Sequence, residues 1–217
     1  MPVVQLAFYE DAFGWGRRAS RPDAKTRLRE LALAWAVRAG SRGSRITHVE
    51  ILLPTSCAFG AGGEDSYSAN EGAGVFRRRG RRFRSKDNAW HFRGFCVSEE
   101  QLRSLRSVLD EKVRLRTPFD FAGLPAALLP GGMGQCFGPG RGAEPPPPPP
   151  AFFCSSLVVF ALQHADVLPK TGRWGLTARQ VTPSKLLRYV EACPLLDTAN
   201  AVNPARLRDA ARHALGR

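Results

Sequence analysis

The 217-residue chain is short of several things. It has no apolar run near the ~20 residues that a membrane-spanning helix needs; the longest, Ala151 to Ala161, is about half that and carries Cys154, Ser155 and Ser156. An integral membrane protein built on helices is excluded. The five cysteines, Cys57, Cys96, Cys136, Cys154 and Cys193, are odd in number and include no C-x-x-C pair. Neither a disulfide framework nor a structural zinc site is expected. The N-terminus, Met-Pro-Val-Val-Gln followed by Glu10-Asp11, lacks the basic, apolar and small-residue order of a secretory signal. The expectation is an intracellular protein of the cytoplasm or nucleus. Acidic charge is also scarce, with 19 Asp+Glu against 32 Lys+Arg and a formal net charge of +13. Such a surface is expected to attract something anionic, nucleic acid or an acidic membrane.

What is present alternates between strand and helix signals. Val3 to Tyr9 reads as a mostly buried strand, and Leu28, Leu31, Ala32, Trp35 and Ala36 recur at helical spacing before Gly40. Ile46 to Pro54 is dense in β-branched residues and ends in proline, so it is a strand. Alternation puts Val49, Ile51 and Leu53 on one of its faces, and His48 and Glu50 on the other with Ile46 and Leu52. Ser66 to Ala69, Gly74 to Arg79 and Ala89 to Val97 read as further strands. Ser98-x-x-Gln101 is a capping box that opens a helix with the stripe Leu102, Leu105, Val108, Leu109, ending near Arg114. From 123 to 150 the chain is a Gly/Pro-rich loop closed by six prolines, Pro145 to Pro150. The apolar stretch Ala151 to Leu162 is a buried helix; Thr182-Pro183 caps another, and Asn203-Pro204 a basic C-terminal one. The expected class is α+β, with residues 1–195 as one domain and 196–217 as the terminal helix.

Cys154 is the residue in this order with most chemical promise. A thiol at a helix start meets backbone N–H groups that lack intrahelical partners, which favour thiolate and can hold an oxyanion. A thiolate needs an acid/base partner, and the chain has four histidines. His164 lies ten residues along the same helix, too far to reach the sulfur. His213 falls in the Arg-rich terminal segment, and His91 sits between Trp90 and Phe92 as a strand residue. His48 is left, on a strand face it shares with the carboxylate of Glu50. A third group that fixes the tautomer is expected. Glu50 is one candidate; the chain also folds back about residues 58–59, which lays Ser68 to Asn70 beside His48 and makes Ser68 or Asn70 the other.

The order Thr47-His48-Val49-Glu50-Ile51, Tyr67-Ser68-Ala69 with Gly74-Val75, Pro118-Phe119-Asp120, Phe153-Cys154-Ser155-Ser156-Leu157-Val158 and Val181-Thr182-Pro183-Ser184-Lys185-Leu186 resembles the circularly permuted NlpC/P60 branch of the papain-like superfamily. The resemblance runs over roughly residues 3 to 190. It implies a papain-like fold, a small antiparallel sheet packed on helices, in which His precedes Cys. It also implies amide or peptide hydrolysis or lipid acyl transfer, with Cys154 as nucleophile and His48 as base, and no cofactor or metal. Two positions depart from the family pattern: Ser68 stands where relatives carry Glu, and Ser156 replaces the Glu of a Cys-Ser-Glu pattern. Glu50 is then the expected carboxylate. A catalytically inactive binding module is the non-enzymatic alternative.

The Arg run Arg77, Arg78, Arg79, Arg81, Arg82 and Arg84 is the expected anion-binding surface, suited to phosphate oxygens of lipid or nucleic acid. No zinc-finger spacing or aromatic RNA-binding strand accompanies it, so sequence-specific recognition is not expected.

Overall fold

The computed structural model describes residues 2–10, 45–55, 64–81, 89–121, 151–170, 175–193 and 196. The expected helix before Gly40, the loop 123–150 and the helix after Asn203 lie outside these residues. Five strands alternate in pleat and pair antiparallel: β1 (Val3–Glu10), β2 (Ile46–Leu53), β3 (Glu64–Asn70), β4 (Gly74–Arg81) and β5 (Trp90–Cys96), in the spatial order β4-β3-β2-β1-β5. Among the described residues three α-helices follow, α1 (Glu99–Arg114), α2 (Cys154–His164) and α3 (Pro183–Ala192), with a 3-10 turn, Ala178–Gln180, before the last. This is an α+β architecture, as the order of sequence signals predicts. None of the described helices is long and apolar enough to cross a membrane.

Side-chain alternation decides where the core forms. Val49, Ile51 and Leu53 of β2 join Val4, Leu6 and Phe8 of β1 and Tyr67 and Ala69 of β3 in one buried cluster. The helices close it with Leu105, Val108 and Leu109 from α1, Leu157, Val158 and Leu162 from α2, and Leu186 and Val190 from α3. Each fully buried Leu or Val of α2 removes enough apolar surface to stabilise the fold by about 1.5–3 kcal/mol. The opposite face of β2 is buried as well, but its chemistry differs: His48 and Glu50 lie there, across from Tyr9 and Ala7 of β1.

One residue departs from simple alternation. Tyr9 pairs with His48 but Glu10 pairs with Ile46, so Thr47 is an extra residue on β2. This bulge carries Ile46 over to the core cluster, and corrects the expectation that Ile46 shares the face of His48. The helix holding Cys154 also starts later than the apolar run Ala151 to Leu162 suggests. Phe152 is held in a parallel bridge to Phe119, donating its N–H to Pro118 O at 3.1 Å and accepting from Asp120 N at 3.0 Å. Extended pairing at Phe152 delays the helix to Cys154.

The capping signals in the sequence act as expected. In α1 the Ser98 hydroxyl accepts from Gln101 N at 3.0 Å while Gln101 Oε1 accepts from Ser98 N at 2.9 Å. In α3 the Thr182 hydroxyl accepts from Lys185 N, and Pro183 occupies the first turn, where its missing N–H costs nothing. On α1, Asp110 accepts from Tyr67 Oη at 2.8 Å and from Arg77 at 3.0 Å, which fastens this helix to β3 and β4.

Gly74 opens β4 with φ +65°, and a Cβ built there would lie 2.4 Å from the Thr117 carbonyl oxygen. The same carbonyl accepts from Val75 N at 2.8 Å. Only a residue without Cβ permits both the backbone angle and this contact. The next residues, Pro118 to Asp120, grip Phe152, so the contact at Gly74 propagates to the start of α2. Gly74→Ala is therefore expected to lower the free energy of unfolding by about 2 kcal/mol or more, since strained φ and backbone overlap add. Urea denaturation of the variant against the parent chain checks it; an unchanged midpoint would refute the role of this glycine.

Candidate active site

Phe153 precedes α2 in extended conformation and has no polar side chain with which to cap the helix. Ser156 does part of that work from the third helical position. Its hydroxyl accepts from Phe153 N at 2.9 Å and donates to Phe153 O at 2.9 Å. A longer Glu at this position would reach back to the same N–H in a capping box, so the shorter Ser keeps the local function. Ser155 donates to Val181 O, tying the helix start to the residue just before the Thr182 cap. Cys154 is thus fixed on both sides. It is the first residue of α2, 8% exposed, and its own N–H has no carbonyl four residues earlier within the helix.

His48 is 8% exposed and Glu50 2%. The Nε2 atom of His48 lies 3.3 Å from Ser68 Oγ and 3.6 Å from Glu50 Oε1. The Ser68 hydroxyl donates its proton to Val49 O at 2.8 Å, which leaves its lone pairs to accept from the imidazole N–H. The regular ladder between β2 and β3 covers only Ile51 to Leu53 against Asp65 to Tyr67, and Ser68 bonds Val49 O just past its end. The two orienting candidates are therefore not alternatives: Glu50 and Ser68 both face the same ring nitrogen. Cys154 contacts the same ring through its side chain.

The charge state of His48 follows from competing effects. Burial is the largest and pushes the imidazole down, because the charged form loses its hydration. Contacts with Cys154 and Glu50, and the negative charge of each, outweigh it and bring His48 up to about 9 from its ordinary 6.5. The ring is consequently an imidazolium at neutral pH. Trp90 sits beside it, edge-on with ring centroids 6.5 Å apart, and lies in turn against Tyr9 at 5.0 Å with the two rings tilted by 52°. Strand pairing sets this row, since Tyr9 lies across from His48 on one side and Trp90 on the other. Trp90 packs edge-on against the ring, a contact the sequence does not announce; the order of strands that brings β5 next to β1 is needed to see it.

The other histidines stay outside. His91 Nε2 is 2.7 Å from Glu10 Oε2, a contact between β5 and β1, with Arg45 3.9 Å from the same carboxylate. His164 ends α2 against the Phe160 ring. His213 lies outside the described residues. Among the described residues no group of His, Cys, Asp and Glu is placed to hold a metal.

The Arg run divides. Arg77 points inward, pairing with Asp65 at 2.5 Å and Asp110 at 3.0 Å over the Tyr67 ring, so its charge is neutralised within the fold. Its bonds are those of a strut between β3, β4 and α1. Arg78 and Arg79 are exposed, with Arg78 stacked on Phe76. Arg81 ends β4, and Arg82 and Arg84 lie outside the described residues.

Because the His48 imidazole is raised in the folded chain, its protonation stabilises the fold. This contribution is complete below about 6.5, the unfolded value, and is lost as pH rises through about 9. Unfolding free energy measured from pH 6 to 10 is expected to fall across that window. His48→Gln should flatten the profile there, and an identical slope in the variant would refute the charge assignment. No protein-family model, curated protein or solved structure matches this chain.

Proposed function

We propose that the chain is a papain-like thiol hydrolase of amide or peptide bonds. One observation carries the reading: a cysteine at the first position of a buried helix faces a histidine that two further side chains hold in orientation and charge. The resemblance to permuted NlpC/P60 proteins supports it, because the motifs that carry that resemblance meet in space. Gly74-Val75 packs on Thr117, Pro118 to Asp120 holds Phe152, and Phe152 leads into Cys154.

In this reading the sulfur, reacting as thiolate, attacks the substrate carbonyl carbon and the C–O π pair moves to oxygen. Backbone N–H groups at the start of α2, that of Cys154 first, stabilise the oxyanion. The His48 imidazolium gives its proton to the leaving nitrogen as the C–N bond breaks, leaving a thioester on Cys154 and a neutral imidazole. Water then attacks the thioester, His48 takes the water proton, and the thiolate leaves to regenerate the pair. Glu50 and Ser68 act on Nε2 throughout; their negative charge and lone pair favour the protonated ring and hold its orientation. The Ser at position 68 in place of a family Glu is compatible with this, since Glu50 supplies the carboxylate from the neighbouring strand.

Iodoacetamide tests the pair directly. With product mapped by mass spectrometry at neutral pH, Cys154 is expected to alkylate at least tenfold faster than Cys96 or Cys193, and His48→Ala to remove most of that advantage. Equal labelling of the thiols, or no effect of His48→Ala, would contradict the reading.

A further inference from the structure

Large apolar side chains that meet solvent are few among the described residues: Val3, Leu115 and Phe121. Two of these three fall in one short segment, 115–121, where Leu115 is 52% and Phe121 53% exposed. Single exposed apolar residues are ordinary, but these two share one fixed support. Leu115 caps α1 and donates its N–H to Glu111 O at 2.9 Å, Arg116 turns the chain at φ +49°, and Thr117 donates to Lys112 O at 3.1 Å. The Phe121 ring lies against Phe119 at 4.9 Å, and Asp120 donates to Phe152 O at 3.0 Å. The contacts that hold this segment are therefore those that set the start of α2, two residues before Cys154.

Charge surrounds the apolar tips. Residues 111–121 carry Lys112, Arg114 and Arg116 against Glu111 and Asp120. Arg114 and Arg116 flank Leu115 directly and are exposed, and neither has an ion pair among the described residues. Lys112 Nζ sits 5.5 Å from the centre of the half-buried Phe160 ring. Apolar tips between uncompensated cations suit an anionic bilayer, where Leu and Phe enter the acyl boundary while arginine meets the headgroup phosphates. A second copy of this chain, also at +13, would instead bring like charges together.

We infer that Leu115 and Phe121, framed by Arg114 and Arg116, form a peripheral docking surface for a bilayer containing anionic phospholipid. The surface uses neither Cys154 nor His48, so it stands or falls apart from the hydrolase reading. It differs from the exposed Arg78 and Arg79 of β4 in having apolar tips that insert. Docking there brings the membrane to the segment that leads into α2.

Cosedimentation of the full chain with vesicles of phosphatidylcholine containing about a third phosphatidylserine, compared with phosphatidylcholine alone, reads the partition. The parent chain is expected to favour the anionic vesicles. Leu115→Ser combined with Phe121→Ser should weaken that partition about tenfold or more, because two side chains lose their apolar transfer. Arg114→Gln with Arg116→Gln should weaken binding to the anionic vesicles and leave the neutral ones unaffected. Arg78→Gln with Arg79→Gln should cost less than that pair, and Val3→Ser, an exposed apolar position elsewhere, should cost nothing measurable. If the serine pair does not fold, Phe121→Trp carries the test: lipid with brominated acyl chains should quench its fluorescence beyond that of the parent chain. A folded serine pair that binds like the parent, or bound Phe121→Trp without added quenching, would overturn the inference. So would an Arg78/Arg79 variant that loses as much as the Arg114/Arg116 variant, since charge alone would then explain binding, or a parent chain that binds neither vesicle.

Discussion

A charged imidazole in a buried position has lost its hydration, and the arrangement around His48 replaces what water supplied. Burial is the largest influence on this ring and opposes its charge. Cys154 and Glu50 reverse the balance, and Ser68 lies within hydrogen-bond reach of the same ring. Glu50 is adjacent on β2, Ser68 comes from β3 through the end of its ladder, and Cys154 comes from the start of α2 over a hundred residues later. Burial by itself would push His48 toward its neutral form.

The fold holds these parts in register through backbone contacts more than through side chains. Gly74 lets β4 approach Thr117, the residues after Thr117 grip Phe152, and Phe152 sets where α2 begins. Ser156 and Ser155 then secure the first turn of α2 against Phe153 and Val181. The Thr47 bulge beside His48 serves the same end, interrupting alternation where the His48 ring and a core side chain occupy neighbouring positions.

Much of this was legible in the sequence because it rests on local rules. Period-two patterning located the five strands within a few residues, and Ser98, Gln101, Thr182 and Pro183 announced their helices by capping chemistry. The pairing of His48 with Cys154 was reachable because few histidines compete for the role. Features that depend on tertiary pairing were not legible. The bulge at Thr47 shows only against Tyr9 and Glu10, the Phe119–Phe152 bridge joins segments more than thirty residues apart, and Trp90 reaches His48 only because β5 lies on the far side of β1. Arg77 looked like one more basic residue in a run; Asp65 and Asp110, twelve and thirty-three residues away, make it internal. The positive charge of the chain therefore describes its surface, while the site depends on a few charges that the fold encloses.

The central claim is that Cys154 and His48 are partners, with the sulfur helping to hold the charge on the imidazole. NMR titration of the His48 ring in the parent chain and in Cys154→Ala measures this without any substrate. The account predicts a midpoint near 9 in the parent chain and a clearly lower one in the variant, where Glu50 is left to oppose burial without the sulfur. A midpoint near the ordinary imidazole value in the parent chain, or one that Cys154→Ala leaves unmoved, would contradict the partnership.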